Sequence, residues 1–280
     1  MTVTRRKRPR LAGQILEHYG KDAVERNRLD KYARLEFFRT KEIISRHLPK
    51  RRQLILDIGG GPGQYSLWLA KLGYAVRLVD PVPLHVQQAI AAFEAANCET
   101  MASASVGDAR DLEFEDESAG SVLLLGPLYH LVRRVDRVKA LREAHRTLKR
   151  GGLLFAAMIS RFASAFDGLA RGFVKDPRFF RIVQQDLKSG QHRNPTNNPL
   201  YFTTAFFHHP DELKSEMRDA GFAAPTLYGL EGPGWLVRDF ERVWNDPKLR
   251  ARLLEIIRSM ESEPTLLGQS GHILAVTRKG

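Results

Sequence analysis

The chain has 280 residues, with 43% hydrophobic and 27% charged composition, a soluble globular profile that excludes disordered and fibrous classes and leaves one domain or two open. Lys and Arg total 44 against 32 Asp and Glu, a net charge of +12, which favours anionic partners such as nucleic acid or phosphorylated metabolites. The lone cysteine, Cys98, excludes an internal disulfide and fits a reduced, cytoplasmic setting, and the best apolar run, Leu153 to Ile159, falls far short of the roughly 18 to 20 residues of a membrane span.

Residues 1–12 read as a solvated, disordered basic tail, with a nucleic-acid-binding arm as the alternative. Arg5, Arg6, Lys7, Arg8 and Arg10 lie there with no acid among the first ten residues, so without them the charge falls from +12 to +7. No apolar stretch follows them, so this is not a secretory signal. Residues 13–50 form a helical lead-in: Leu35, Phe38, Ile44 and Leu48 fall near helical spacing and Pro49 marks the stop.

Leu54 to Ile58 then reads as a buried parallel strand entering a glycine-rich turn. Gln64 to Leu72 is helical and closed by Gly73, and Ala75 to Val79 is a second apolar strand ending on Asp80. The alternation continues through a helix over 84–96 and strands at 101–106 and 122–125. A charged amphipathic helix at 134–148, stopped by Gly151 and Gly152, leads into a strand at 153–159. Asp211 to Ala220 reads as a further helix, with strands at 226–230 and 272–277. Two stretches interrupt the rhythm, 160–209 and about 232–268. The first is rich in aromatics, among them Phe162, Phe166, Phe179, Tyr201, Phe202 and Phe207; these suit either a mainly helical cap over the sheet's ligand edge or the ordinary core of a helical insert.

Asp57-Ile58-Gly59-Gly60-Gly61-Pro62-Gly63 sits where the first strand meets its helix, at the edge where open α/β sheets bind ligands. A dinucleotide fingerprint would need glycines at 59, 61 and 64, but position 64 is Gln, which disfavours NAD. Asp80, 23 residues after Asp57, can accept hydrogen bonds from a neutral ribose diol and would repel a 2′-phosphate.

With Asp57, Gly59, Gly61 and Gly63 in a DxGxGxG loop, Asp80 closing strand two, Gly107-Asp108-Ala109 closing strand three and Leu148-Lys149-Arg150-Gly151-Gly152 before strand five, the chain resembles the class I S-adenosylmethionine-dependent methyltransferases. The resemblance covers Leu54 to Ile159 and implies an α/β, Rossmann-like sheet with helices on both faces. It places the cofactor-binding core at 51–159, a cap insertion at 160–209, and the rest of the sheet at 210–280 with a helical insertion near 232–268. S-adenosyl-L-methionine would be the cofactor and S-adenosyl-L-homocysteine the product. The glycine loop would hold the methionine half, Asp108 the adenine amino group and Ala109 a ring nitrogen through its backbone. Gly126 lies in the post-strand-four stretch of cofactor and substrate contacts.

The N-terminal helices resemble those that close over the cofactor in small-molecule methyltransferases, which makes Arg39 the candidate for the cofactor's carboxylate. Arg28 or Arg34 could replace it, and a solvated helix face is the alternative. Tyr129 and His130 follow strand four, where a base or orienting group would face the methyl; a His there can equally bond backbone. Tyr19, Tyr201, His208 and Glu231 complete the substrate candidates, Glu231 either holding an amine or serving as a turn residue. The adjacent His208 and His209 lack a Cys, Asp or Glu at ligand spacing, so no metal site is expected.

The expected reaction is methyl transfer to an O or N atom of a small metabolite. An RNA methyltransferase is the alternative, disfavoured for base amines because Gly126-Pro127-Leu128-Tyr129 departs from (N/D)PP(Y/F). A silent cofactor-binding protein is the third reading. Oligomeric state is left open.

Overall fold

In the computed structural model, residues 33–49, 52–196 and 198–280 are described. The basic tail, the start of the lead-in helix, Tyr19 and Arg28 lie outside the described residues.

Strand β1 (Ile55–Ile58) is buried at all four positions, as an Ile-Leu-Asp-Ile run covered on both faces must be. It pairs in parallel with β2 (Val76–Asp80) on one side and β4 (Ala119–Leu124) on the other, Ile55 facing Val76 and Ser121. β3 (Ala102–Val106) flanks β2, and β5 (Leu148–Ser160) flanks β4. Beyond β5 the direction reverses: β9 (His272–Arg278) runs antiparallel to it, and β8 (Thr226–Gly229) antiparallel to β9. The order is therefore β3-β2-β1-β4-β5-β9-β8. The strand order switches between β1 and β4, and at such a switch point the carboxyl ends of the strands leave a crevice for a ligand.

Helices cover both faces. On one, α1 (Arg34–His47) buries Ile43 and Ile44 against Ile55, Phe155 and Leu274, alongside α2 (Gln64–Lys71) and α3 (Pro83–Ala95). On the other, α4 (Pro127–His130) and α5 (Arg134–Thr147) bring Leu128, Leu141 and Ala144 against Leu56, Val122 and Leu154. Each such fully buried aliphatic side chain contributes about 1.5–3 kcal/mol of apolar transfer.

Two sequence expectations change. β5 begins at Leu148 rather than Leu153, because Leu148 already pairs with Ala119 across an irregular step in the register. The stretch 160–209 holds more than helices. α6 (Ala163–Ala170) and α7 (Pro177–Ser189) are followed by β6 (Gln191–His192) and β7 (Ala205–His208). β7, buried throughout, extends the end of β5 in parallel. After α8 (Pro210–Asp219), the second stretch folds as a 3-10 turn (Gly232–Leu236), α9 (Phe240–Asn245) and α10 (Pro247–Met260). Leu253, Leu254 and Ile257 of α10 pack on Trp244 and on Leu35 of α1, so this stretch buttresses α1.

Candidate active site

A cleft opens at the carboxyl ends of β1, β2, β3 and β4. It is lined by Gly59 and Gly61 of the glycine loop, Val79 and Asp80 at the end of β2 with Pro81, Val82 and His85 beyond it, Asp108 and Ala109 after β3, and Gly126 to Leu131 after β4 without Leu128. The glycine loop is sterically fixed. Gly59 has φ +71° and an added Cβ would lie 2.6 Å from the Pro127 ring; Gly63 has φ +84° and its Cβ would lie 2.9 Å from Ala89. A side chain at either place would push the loop off α4 or α3.

Asp57 is not a cleft residue. Its carboxylate is buried at 1% exposure beneath the loop and accepts a hydrogen bond from Ser66 Oγ on α2. Burial pushes its pKa up to about 6, against the opposing effect of the Ser66 bond. Asp80 does line the cleft, and its carboxylate braces the site: Oδ2 accepts from Gly61 N at 2.9 Å, while Oδ1 accepts from Val82 N and lies 3.1 Å from His85 Nδ1. Asp108 is gripped by Arg110, whose Nε and Nη2 reach its two oxygens at 2.9 and 2.7 Å. Arg110 is itself buried and also meets Asp136 at 3.3 Å. Neither Arg110 nor His85 stands out in the sequence: Arg110 is one of several charged residues in its loop and His85 a single polar residue in an apolar helix start, and the contacts of both appear only on folding.

Tyr129 and His130 stand on the opposite wall, with ring centroids 4.6 Å apart. The stretch 160–209 closes on them: Ala205, Phe207 and Phe202 pack on Tyr129 and Ile159, and Phe202 stacks on His130 at 6.5 Å and 24°. Phe202 holds a backbone φ of +64°, uncommon for an aromatic residue.

Four expected contacts lie elsewhere. Arg39 is fully buried on α1, its guanidinium bound by Glu42, Glu261 and the Leu230 carbonyl. It is therefore committed to joining α1 to the end of α10, and the expectation that it takes the cofactor's carboxylate is corrected. Its alternative Arg34 is likewise engaged, with Glu241 and Asn245. Tyr201 packs on Phe173 and Phe179 and donates to Asp176. His208 is buried against Glu216, which also takes Arg137; burial holds the His208 pKa below its ordinary value. Glu231 accepts from Ser270 Oγ and meets His272 Nδ1 at 2.7 Å. Burial pushes its carboxyl up, but the bonds and charge of His272 outweigh this and hold it below the usual range. Glu36 approaches the same imidazole at 3.7 Å. None of these four residues lines the cleft around the glycine loop.

A methyltransferase-domain family profile matches residues 55–152. The ubiquinone/menaquinone biosynthesis C-methyltransferase UbiE of Acidiphilium cryptum is 31% identical over 198 residues, 69% of this chain and 75% of the relative. The chain belongs to the S-adenosylmethionine-dependent methyltransferases. An uncharacterized methyltransferase of Mycobacterium tuberculosis is 32% identical over 113 residues, 42% of its length. Two solved methyltransferases carry the same fold: one from Mesorhizobium loti, at TM-score 0.59 and 17% identity, covering 90% of this chain and all of that one, and one from Thermotoga maritima described as a possible histamine N-methyltransferase, at TM-score 0.58 and 18% identity, covering 95% and 100%. The geranyl diphosphate C-methyltransferase of Streptomyces coelicolor, solved with S-adenosyl-L-homocysteine, aligns at TM-score 0.56 and 15% identity over 93% of this chain and 85% of that one.

The cleft of this methyltransferase suits its cofactor in shape and in donor set. The glycine loop leaves backbone exposed, with open space where a Cβ on Gly61 would stand, and two carboxylates, Asp80 and Asp108, face the cleft from adjacent strands. When bound, S-adenosylmethionine supplies an activated methyl group. Among the described residues no helix is long and apolar enough to cross a membrane.

Proposed function

We propose that this methyltransferase acts on a small, largely apolar metabolite held between α4 and the stretch 160–209. The observation that carries this reading is the closure of that stretch on the cleft wall, with Phe202 stacked on His130 and Phe207 packed beside Tyr129. A nucleic-acid enzyme needs free cations beside the site to meet the phosphate backbone. Here the arginines nearest α4 and β7, Arg110, Arg137 and Arg161, are paired with carboxylates.

In this reading the glycine loop and Asp57 shape the floor, Asp80 meets the ribose hydroxyls and Asp108, fixed by Arg110, meets the adenine amino group. Tyr129 and His130 orient the acceptor, and the His130 imidazole takes the proton that the acceptor loses. The remaining work is alignment and exclusion of water, which is most of what an already activated methyl requires. Oxygen or nitrogen is the accepting atom, since an imidazole can take a proton from a hydroxyl or amine directly. Carbon is the second reading, favoured by the likeness to a quinone C-methyltransferase.

The test is transfer of labelled methyl from S-adenosylmethionine into a metabolite extract and, separately, into total RNA. Label in a small-molecule product is the expected result, and the position of the new methyl in that product separates oxygen and nitrogen from carbon. Label in RNA alone overturns the reading.

A further inference from the structure

The outer side of the stretch 160–209 carries a second set of features that methyl transfer does not use. Among the described residues twelve large apolar side chains are exposed, and seven of these lie between residues 169 and 200 or at Trp235 and Leu236. Five of them, Leu169, Phe180, Leu187, Trp235 and Leu236, lie on the α6–α7 pair or on the turn packed against α6. α6 and α7 cross where Gly168 leaves room for Phe179, since a Cβ on Gly168 would lie 2.2 Å from that ring. Leu169 and Phe180, the next residues along each helix, emerge beside this crossing and are 64% and 47% exposed. Leu187 follows Phe180 by two helical turns and returns to the same face of α7. Phe166, one turn before Leu169, stacks on Trp235 at 5.3 Å, which joins the exposed Trp235-Leu236 pair to α6.

The exposed charge on α6, α7 and the turn between them is mainly basic. Arg171, Lys175, Arg178, Arg181, Lys188 and Arg193 are all exposed. The acids of the same stretch are already engaged: Asp167 with Arg171, Asp176 with Arg178 and Tyr201, and the fully buried Asp186 with Ser164 and His192. With these acids engaged, none of the stretch's carboxylates pairs with Lys175, Arg181, Lys188 or Arg193.

We propose that this face docks on an anionic phospholipid bilayer, its apolar residues entering the headgroup region and its cations meeting lipid phosphates. The mixture of residues selects this occupant. A second copy of the chain joined by a two-fold axis would bring identical patches, and hence like charges, together. A nucleic acid would meet the cations but leave Leu169, Phe180 and Leu187 in water. A bilayer surface satisfies both sets, and a Trp at the margin is characteristic of side chains seated at a membrane interface. The inference does not rest on the identity of the methyl acceptor. It gives the stretch that covers α4 a second role, as the side of the enzyme turned toward lipid.

The test is sedimentation of the full chain with vesicles of phosphatidylglycerol mixed into phosphatidylcholine, against vesicles of phosphatidylcholine alone. Recovery with the anionic vesicles is expected, falling with added salt. The double variants Phe180→Ser with Leu187→Ser, and Arg181→Glu with Lys188→Glu, are each expected to lower partitioning roughly tenfold or more, while cofactor affinity by calorimetry stays unchanged. Absence of binding to anionic vesicles overturns the proposal, as does binding that both variants retain, which would place the contact elsewhere on the chain. A stable dimer in light scattering that the serine variant dissociates also overturns it, in favour of a second copy as the occupant.

Discussion

Ser66 Oγ donates a 2.7 Å hydrogen bond to Asp57 Oδ2 at the centre of the buried floor beneath the glycine loop. The other oxygen, Oδ1, has no hydrogen-bond partner among the described residues. Hydrogen bonds from Ser66 do not replace the hydration that a carboxylate loses on burial, and the negative charge of Asp80 adds to the effect, so the protonated form is favoured and the pKa rises from 3.8 to about 6. A carboxyl with a raised folded-state pKa stabilises the protein fully below its unfolded value, and that contribution is lost as pH climbs through the folded value. The shift corresponds to about 3 kcal/mol. Other carboxyls, such as Glu216 and Glu261, are held low by cationic partners and give the opposite slope, so the parent protein alone does not isolate Asp57. The difference between Asp57→Asn and the parent does. The variant is expected to gain about 2–3 kcal/mol relative to the parent between about pH 4 and 7 in urea unfolding. A difference that stays constant with pH would refute the raised pKa.

Arg110 fixes Asp108 with two parallel bonds, which sets the carboxylate plane before any ligand arrives. Removing the guanidinium leaves Asp108 held on one oxygen only, by the Arg110 backbone N–H at 2.8 Å, and Asp136 without its buried partner. Arg110→Ala is expected to raise KM for S-adenosylmethionine by roughly tenfold, with a smaller change in kcat, because a uniform binding interaction is weakened. Arg110→Lys is expected to recover little, since an ammonium cannot make the bidentate contact. Steady-state kinetics with varied cofactor decides this; rescue by Lys would show that charge alone is required.

Arg39 separates stability from binding. With its guanidinium at 0% exposure between Glu42 and Glu261, substitution by Met removes one partner of a buried ion pair, which costs on the order of 3 kcal/mol. Arg46 also binds Glu261, at 2.5 Å, and limits the loss. A fall in thermal midpoint with unchanged cofactor affinity is expected for Arg39→Met. A large loss of affinity in a variant that melts normally would restore Arg39 to the cofactor site.

The parts of this protein that were legible in the sequence are those encoded by local chemistry. The Asp57 to Gly63 turn needs glycines because Pro127 and the α3 side chains press against it, and apolar runs such as Leu54 to Ile58 declare buried strands without reference to anything distant. The illegible parts depend on long-range pairing. Nothing near Arg39 in sequence announces Glu261, 222 residues away, and an Arg on a helix reads the same whether it meets a ligand or a distant Glu. β7 was equally hidden, since Ala205-Phe206-Phe207-His208 is too short to show a period and becomes a strand only because the end of β5 offers it a partner. Tyr201 and His208 lie on the inward side of the stretch 160–209, whereas Phe202, between them, is the residue that reaches His130.

His130 tests the chemical step. An imidazole that removes a proton in the transition state contributes typically 10²–10⁴-fold. His130→Asn is expected to lower kcat by about a hundredfold or more while leaving cofactor affinity within roughly a factor of two. The loss is expected to shrink at high pH with hydroxyl or amine acceptors, because more of the acceptor is then deprotonated in solution. Turnover equal to that of the parent would remove His130 from the mechanism and leave alignment alone to account for the rate.

Phe202 tests the enclosure. Its φ of +64° costs an ordinary side chain on the order of 1 kcal/mol or more, and glycine would adopt that conformation freely. The ring packs with Phe207 at 6.4 Å and with His130 at 6.5 Å, so the strain is sustained by contacts that seat the ring against a residue of the cleft wall. Phe202→Gly therefore removes the face and the strain together, and the two effects on folding oppose one another. The thermal midpoint is expected to move little, while KM for the acceptor rises by roughly tenfold through lost apolar contact and KM for S-adenosylmethionine stays unchanged. Phe202→Ala keeps the strain and loses the ring, so it is expected to share the kinetic defect and to melt lower than the glycine variant. If both variants kept the parent's acceptor KM, the ring would be packing for the stretch 160–209 alone, and the acceptor would be held by other walls of the cleft.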